Sequence, residues 1–281
     1  MEDRGNEPIA STHGAASGRR SAPTDISGER GYYESPELWR PELFDTAGER
    51  RRLEACGGLV PDAVATLLDV GCGQGGFLQW LSVNRPTLRI EGLERSAAAL
   101  EVAAAFGPVR EGSIEALPYE DGAFDVVAAL EVLEHLPHGA YEAGLSELAR
   151  VARRAIVISV PYAERRELVK CTYCNCRFQP NYHMRSFDRD RFASLFDGFE
   201  LERHDVLHSE DYVGGPVLRA GYRLLRGGVD DAPAGTMCPQ CGFRQGGTTA
   251  VREWARRSFR ARLPTRMRPR WLVGRFVRAT P

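Results

Sequence analysis

The sequence predicts an α/β fold built on a doubly wound, mostly parallel sheet. Two observations support this prediction: short apolar runs alternate with helical segments between residues 66 and 160, and a cluster of glycines follows the first run. Strands that alternate with helices form parallel sheets covered on both faces. The ligand of such a sheet lies at the carboxyl ends of the strands, near the point where the strand order reverses.

The individual elements follow from the apolar runs and their boundaries. Five strands are predicted, over residues 66–70, 88–93, 109–112, 124–130 and 155–160. Helices are predicted over residues 41–56, 76–83, 96–106 and 141–151. The alternation stops at Pro161, after which a helix over 188–196 and a strand over 199–208 are expected.

Composition divides the chain into four parts. Residues 1–30 are rich in Gly, Ser and charge without apolar periodicity, and we expect them to be disordered. Residues 31–160 form the core, and residues 161–250 hold the end of the sheet, an acceptor lid and two cysteine clusters. Residues 251–281 form a basic amphipathic tail with ten arginines against one acid, whereas the rest of the chain is acidic.

The composition also indicates a compartment. No apolar stretch approaches the roughly 20 residues of a membrane span, and the first residues carry charges where a signal peptide needs apolar ones. Four of the seven cysteines form two C-x-x-C pairs, which indicates reduced thiols and a metal site. We therefore expect a cytoplasmic protein.

The glycine cluster lies in LLDVGCGQGGFLQWL, Leu67–Leu81. Gly71, Gly73 and Gly76 satisfy the dinucleotide pattern G-x-G-x-x-G, so the glycines alone do not identify the ligand. The discriminating residue is Asp69, because nucleotide phosphates prefer a helix N-terminus without a nearby negative charge. A carboxylate at this position fits a ligand with an ammonium and a sulfonium better than one with a pyrophosphate.

This stretch resembles motif I of the class I methyltransferases, which have a seven-stranded Rossmann-like sheet and use S-adenosylmethionine. Three further segments follow in that family's order: IEGLERS, whose acid takes the ribose hydroxyls, GSIEALPYEDGAFDVV, which flanks the adenine, and ALEVLEHLP, which lines the methionine arm. The resemblance covers about residues 60–160. It implies a cofactor site made of Asp69, Gly71, Cys72, Gly73, Gly75, Glu94, Arg95, Ser113, Ile114, Leu130 and Glu131.

Three polar residues, Glu131, Glu134 and His135, follow the predicted fourth strand. They share one face if the segment is helical. Three interpretations stay open: they build and cap a helix, His135 is a general base for an acceptor hydroxyl, or they join His183 in binding a divalent metal that lowers the pKa of that hydroxyl. In the family that the chain resembles, the pattern occurs with a metal in small-RNA terminal 2′-O-methyltransferases and quinone-pathway catechol methyltransferases.

His183 lies in NYHMRSFDRDRF, residues 181–192. The phrase H-x-R-x-F before an Asp-led helix resembles a segment beyond strand five in bacterial small-molecule methyltransferases. The resemblance implies that His183 lies over the acceptor pocket as a base or a substrate contact. A purely structural histidine is the alternative.

The cysteine pairs predict a structural zinc site. Two C-x-x-C turns together supply the four thiolates of a closed tetrahedral site, which has no open position for catalysis. The expected ligands are Cys171, Cys174, Cys238 and Cys241. Asn175 stands where a glycine is usual, and Cys176 is an extra thiol that could replace Cys174. Two exposed, redox-active thiol pairs are the alternative.

The chain is thus identified as resembling an S-adenosylmethionine-dependent methyltransferase of a small molecule, with O-methylation of a sugar, glycoconjugate or secondary metabolite as the leading hypothesis. An RNA methyltransferase that uses the cysteine knuckles and the arginines of the tail is the second hypothesis, and a non-catalytic cofactor-binding module is the third. The pattern RPRWLVGRFVR at residues 268–278 is compatible with a helix docked on the core or with contact to an anionic membrane. The sequence does not fix the oligomeric state.

Overall fold

A seven-stranded sheet dominates the computed structural model, which describes residues 32–39, 45–166, 168–212, 236–244 and 265–279. The strands are β1 (Thr66–Val70), β2 (Arg89–Glu94), β3 (Val109–Glu111), β4 (Phe124–Leu130), β5 (Ala152–Pro161), β8 (Phe199–Tyr212) and β9 (Thr265–Arg278). A separate hairpin pairs β6 (Val169–Lys170) with β7 (Arg177–Phe178). The helices are α1 (Ala47–Leu59), α2 (Gly76–Asn84), α3 (Ala97–Ala103), α4 (Ala140–Val151) and α5 (Arg189–Ala193).

The strand order is β3-β2-β1-β4-β5-β9-β8. Strands β1 to β5 run parallel to one another, and β9 runs antiparallel to both β5 and β8. The order reverses between β1 and β4, which opens a crevice beyond their carboxyl ends. The predicted fold class, a doubly wound and mostly parallel Rossmann-like sheet, is confirmed.

A hydrophobic core covers each face of the sheet. Successive residues of a strand point to opposite faces and so contribute to different cores. Leu68 contributes to the core that contains Leu148 of α4 and Phe192 of α5. Its neighbour Leu67 contributes to the opposite core, beneath α1 and α2. Helix α1 begins at a local cap, where the Thr46 hydroxyl accepts the N–H of Glu49 at 3.1 Å. Within the described ranges, every helix is too short or too polar to span a membrane.

The expectation of an amphipathic helix or membrane-bound segment at residues 268–278 is wrong, because this stretch is part of β9. Trp271, Leu272, Val273 and Phe276 are buried inside the sheet. A strand with neighbours on both sides and helices on both faces shows no alternation, so its periodicity is uninformative. These apolar side chains are therefore not available to a membrane. Residues 1–31 and 251–264, including the predicted disordered segment and the start of the tail, lie outside the described residues.

Candidate active site

A cavity of about 960 Å³ opens at the carboxyl ends of β1, β2 and β4. Ten of the eleven expected cofactor residues line it: Asp69, Gly71, Cys72, Gly73, Glu94, Arg95, Ser113, Ile114, Leu130 and Glu131. Gly75 is the exception, because it faces α3: a Cβ on Gly75 would lie 3.0 Å from the Cα of Ala103. The strand order thus gathers residues from four separate segments of the sequence around one space.

The glycine loop makes a sharp turn from β1 into α2. Gly71 has a φ of 72°, and a Cβ there would lie 2.6 Å from a methyl group of Val132. The N–H groups of Gly71 and Cys72 both donate to the carbonyl of Leu93, at 2.7 and 3.1 Å. These bonds fix the loop against β2. The positive φ and the close approach of Val132 then leave room only for glycine at position 71.

Asp69 is almost fully buried at the end of β1. Burial raises the pKa of its carboxyl to about 7, against the opposing effect of Arg52, and the negative charge of Glu94 raises it further. A carboxylate whose ionisation is this unfavourable gains strongly from a cation placed beside it. The site is therefore suited to the ammonium group that the sequence predicts.

Glu94 ends β2 and its carboxylate is held by three backbone donors. One oxygen accepts the N–H of Gly73 at 3.0 Å, and the other accepts the N–H groups of Arg95 and Ser96 at 2.8 and 2.9 Å. These bonds connect the glycine loop to the end of β2 and fix the orientation of the carboxylate towards the cavity. Its remaining lone pairs suit a pair of hydroxyl groups.

Glu131 follows β4 and is the centre of a buried polar network. Its φ of 58° lies in the left-handed region that non-glycine residues rarely adopt. One carboxylate oxygen accepts the hydroxyl of Ser159 at 2.9 Å, and the other accepts the indole N–H of Trp271 at 3.1 Å. Arg52 in turn donates to Ser159 at 3.1 Å. No local motif signals Ser159, Trp271 or Arg52, because all three lie far from Glu131 in the sequence.

Glu131, Glu134 and His135 do not share a helix face, which overturns the helical arrangement considered for them. Only Leu133–His135 form a single 3-10 turn. Glu134 is fully buried, and neither of its carboxylate oxygens has a hydrogen-bond partner among the described residues. Burial raises the pKa of Glu134 well above its ordinary value, and the charge of Glu131 adds to the effect. An orphaned buried carboxylate is rare in folded proteins and indicates an absent partner.

His135 and His183 meet beside Glu134. Their ring centroids are 4.7 Å apart, and ligand atoms of Glu134, His135 and His183 all lie within 4.8 Å of one another. Burial lowers the pKa of His135 to about 3, with further lowering from His183 and Arg95, so its imidazole is neutral near pH 7. His135 lines the cavity, whereas His183 is not among the residues that line it.

Hydrogen bonds orient both imidazole rings. The Nδ1 atom of His183 lies 2.5 Å from a carboxylate oxygen of Glu164, and the Nδ1 atom of His135 lies 3.0 Å from the hydroxyl of Tyr33. The Nε2 atom of His135 faces Glu134, at 3.9 Å. A carboxylate on one ring nitrogen of a histidine is the usual outer-shell arrangement of metal-binding and of basic histidines. Sequence reasoning missed Glu164 and Tyr33.

The four predicted cysteine ligands come together, as residues 169–182 and 236–244 fold into what we call the four-cysteine unit. The Sγ atoms of Cys171 and Cys241 are 3.7 Å apart, and those of Cys174 and Cys238 are 3.6 Å apart. A disulfide needs about 2.05 Å, whereas a tetrahedral site with metal–sulfur bonds of about 2.3 Å places its sulfurs about 3.8 Å apart.

The two turns of the unit are equivalent. Asn175 donates to the carbonyl of Cys171 at 3.1 Å, and Gly242 donates to the carbonyl of Cys238 at 2.9 Å. Asn175 and Gly242 both adopt a left-handed backbone, with φ values of 62° and 69°. Asparagine is one of the few residues that tolerate this conformation, which explains its presence where glycine is usual. Cys176 lies outside the ligand group and donates to the carbonyl of Arg177.

A methyltransferase domain family matches residues 68–158. Two curated O-methyltransferases are similar over part of their length. The ubiquinone biosynthesis O-methyltransferase of Albidiferax ferrireducens is 39% identical over 95 residues, which are 31% of this chain and 37% of that protein. The O-methyltransferase resE of Aspergillus sclerotiorum is 31% identical over 132 residues, which are 44% of this chain and 48% of that protein. The chain thus spans less than half the length of either relative.

Among solved structures, the magnesium protoporphyrin IX methyltransferase of Synechocystis PCC 6803 with bound S-adenosylmethionine superposes with a TM-score of 0.53. The alignment covers 92% of this chain and all of that one, at 14% identity. A likeness at this identity establishes the shared fold, while function depends on the residues of the site.

Proposed function

We propose that this chain, which carries a class I S-adenosylmethionine-dependent methyltransferase domain over residues 68–158, transfers a methyl group to an oxygen of a small-molecule acceptor. The observation behind the proposal is the cavity at the switch point, which is lined by the buried acids Asp69 and Glu94. The O-methyltransferases similar to residues of the same domain support oxygen as the methylated atom.

The cofactor roles are assigned by chemistry. Asp69 with the glycine loop would hold the methionine part, and Glu94 would accept both ribose hydroxyls. Ser113 and Ile114 would flank the adenine, and Leu130 with Glu131 would line the path to the sulfonium. Arg95 and Cys72 complete the wall. In the reaction, the acceptor oxygen attacks the methyl carbon, the sulfur keeps the bonding electron pair, and the hydroxyl proton passes to a base; the enzyme mainly orients the two reactants.

On the acceptor side we propose that Glu134, His135 and His183 hold a divalent metal ion. Two imidazoles and a carboxylate form a suitable donor set, and a cation would supply the partner that the Glu134 oxygens lack. The pKa of about 3 makes His135 a poor general base near pH 7 but leaves it in the form that binds metals. When bound, such an ion lowers the pKa of an acceptor hydroxyl. His183 oriented by Glu164, acting as the base without a metal, is the alternative.

We propose that Cys171, Cys174, Cys238 and Cys241 bind a structural zinc ion, as the sulfur distances support. A thiolate site of this kind requires reduced cysteines, which favours the cytoplasm. A small-molecule acceptor is preferred over RNA because the chain apart from its last 31 residues is acidic.

Calorimetric titration with S-adenosylhomocysteine tests the central assignment. We expect micromolar binding by the wild type and at least tenfold weaker binding by Asp69→Asn and Glu94→Gln. Glu101→Gln, on the exposed side of α3, is the matched control. A folded wild type that binds no S-adenosylhomocysteine would refute the cofactor assignment. Binding without methyl transfer to any acceptor, RNA included, would indicate the non-catalytic module.

A further inference from the structure

We infer that residues 32–39 form a strap that closes the cofactor cavity and that the four-cysteine unit holds this strap in place. The inference rests on the proposed function, because it concerns the cavity assigned to S-adenosylmethionine. The strap lies between the cofactor cavity and the four-cysteine unit. One side of it contacts the cofactor loops, and the other side contacts the cysteine turns. Each set of contacts involves different residues.

The first set attaches the strap to the cofactor loops. The carbonyl of Tyr33 accepts the hydroxyl of Ser96 at 2.7 Å and the indole N–H of Trp39 at 2.6 Å. Trp39 is buried over the glycine loop, where a Cβ on Gly73 would lie 3.0 Å from its ring. Tyr33 and Trp39 both line the cavity. The strap therefore covers the ends of β1 and β2, where the cofactor would bind.

The side chain of Tyr33 continues across the cavity. The guanidinium of Arg95 lies over its ring, 5.0 Å from the centroid, and its hydroxyl lies 3.0 Å from His135. Arg95 belongs to the cofactor wall, and His135 belongs to the acceptor side. One strap residue thus contacts both halves of the site.

The second set attaches the strap to the four-cysteine unit. The ring of Tyr32 packs edge-on against Tyr182, with centroids 5.0 Å apart, and Tyr182 donates to the carbonyl of Met237. Tyr32 also packs against the buried cluster that contains Cys171 and Cys238. Next to it, Arg244 donates to the hydroxyl of Ser35 at 2.9 Å.

These contacts couple the unit to the cavity. The segments that form the unit, residues 169–182 and 236–244, are far apart in sequence, and metal binding by the cysteines would join them more firmly than the Tyr182–Met237 hydrogen bond does. Loss of that metal would separate Met237 from Tyr182 and Arg244 from Ser35, and so release the strap. An open strap leaves the cofactor site less enclosed, so bound cofactor should leave faster. The unit would therefore set the affinity for the cofactor from outside the cavity.

The test measures S-adenosylhomocysteine affinity by calorimetry and its dissociation rate by stopped flow, on the full chain with zinc. We expect Arg244→Gln to weaken binding roughly fivefold, which is the effect of losing one hydrogen bond. The weaker binding should come from faster dissociation of S-adenosylhomocysteine. The matched control is Arg177→Gln, which removes an exposed arginine on β7 of the same unit and should leave binding unchanged. Removing the zinc with a chelator should weaken wild-type binding at least as much as Arg244→Gln does.

The outcomes separate the inference from the proposed function. If the wild type binds S-adenosylhomocysteine but both Arg244→Gln and zinc removal leave its affinity and dissociation rate unchanged, the strap inference is wrong and the cofactor site stands. If the wild type binds none, the cofactor assignment fails and the inference fails with it. Thermal unfolding of Arg244→Gln checks that the variant is folded.

Discussion

The indole N–H of Trp271 donates to a carboxylate oxygen of Glu131 at 3.1 Å, although the two residues are 140 positions apart in the sequence. Trp271 lies in β9, and Glu131 follows β4 at the wall of the cavity. Strand β5 lies between them in the sheet. The bond therefore makes the last strand along the chain part of the support of the site.

Replacing Trp271 by Phe keeps most of the buried ring but removes the donor. A buried carboxylate that loses a hydrogen bond costs about 1–3 kcal/mol. We expect the free energy of unfolding to fall by about that amount and S-adenosylhomocysteine to bind several-fold more weakly, as measured by urea unfolding and calorimetry.

Ser159→Ala removes the other donor to Glu131 and should behave similarly. Arg266→Gln, an exposed residue near the start of β9, is the control. Unchanged binding in both Trp271→Phe and Ser159→Ala would show that the network does not position the cavity wall.

The pKa of about 7 at Asp69 predicts that cofactor affinity depends on pH. The ionised carboxylate binds the ammonium of S-adenosylhomocysteine, so affinity should rise up to about tenfold per pH unit below 7 and level off above it. Binding at pH 6 should release close to one proton, measurable by calorimetry in buffers of different ionisation enthalpy. The pKa of Arg52, whose charge opposes the shift of Asp69, is itself raised, so Arg52 stays charged over this range.

The same shift predicts an opposite trend in stability. Because the folded pKa of Asp69 lies above the unfolded value of about 3.9, the folded protein retains a proton that the unfolded chain loses. Its contribution to stability is therefore present at low pH and is lost as pH rises through 7. Asp69→Asn should bind the cofactor weakly at every pH and gain stability relative to the wild type above pH 7. A pH-independent affinity in the wild type would contradict this assignment.

Gly71→Ala tests the glycine loop. An alanine there must adopt a left-handed backbone and approach Val132 too closely, so we expect a loss of about 1–2 kcal/mol of stability and no detectable S-adenosylhomocysteine binding. Gly58→Ala is the matched control, because its Cβ would meet nothing within 4 Å and α1 should gain slightly. Equal binding by the two variants would exclude the loop from the cofactor site.

The sulfur geometry predicts one tightly bound zinc ion per chain. Cys238→Ser should lose the metal and lower the melting temperature, because the two turns are then no longer joined. Cys176→Ser should retain the zinc, since Cys176 lies outside the ligand group. Metal analysis of the purified variants shows which cysteines bind zinc. Loss of zinc from Cys176→Ser, with zinc retained in Cys238→Ser, would contradict the proposed ligand set.

Glu134→Gln separates the metal from the base. If Glu134, His135 and His183 hold a divalent ion, Mn²⁺ titration followed by electron paramagnetic resonance should show one site in the wild type and none in the variant. In metal-free protein the variant should be more stable, because a buried and unpartnered carboxylate has been removed. Absence of Mn²⁺ binding in the wild type would favour His183 with Glu164 as the base.

The sheet could be predicted from the sequence because its parallel strands are short apolar runs bounded by glycines, and the alternation with helices fixes their direction. Strand β9 could not. It is covered on both faces and carries arginines at both ends, so RPRWLVGRFVR has neither a strand period nor a helical one. Its strand conformation depends on pairing with β5 and β8. The local sequence does not predict that pairing.

The site likewise contains residues that local motifs predict and residues that only tertiary packing brings in. The wall residues near the glycine loop belong to local motifs, so Asp69 and Glu94 could be placed in advance. Arg52, Ser159 and Trp271 support Glu131 from three separate elements, and Tyr33 reaches His135 from 102 positions away. Contacts of this kind depend on tertiary packing, and the aromatic cluster GYYESPELW was the one visible signal for the strap.

The position of β9 between β5 and β8 has a consequence for synthesis of the protein. Strand β5 is complete at residue 161, but the strand that covers its outer edge begins at residue 265. The ribosome must therefore add about a hundred residues while that edge stays open, at roughly 5–20 residues per second. During those seconds the nascent chain exposes an unpaired apolar edge of the kind that seeds aggregation. We expect chaperone dependence to be concentrated in this interval and to end when β9 inserts.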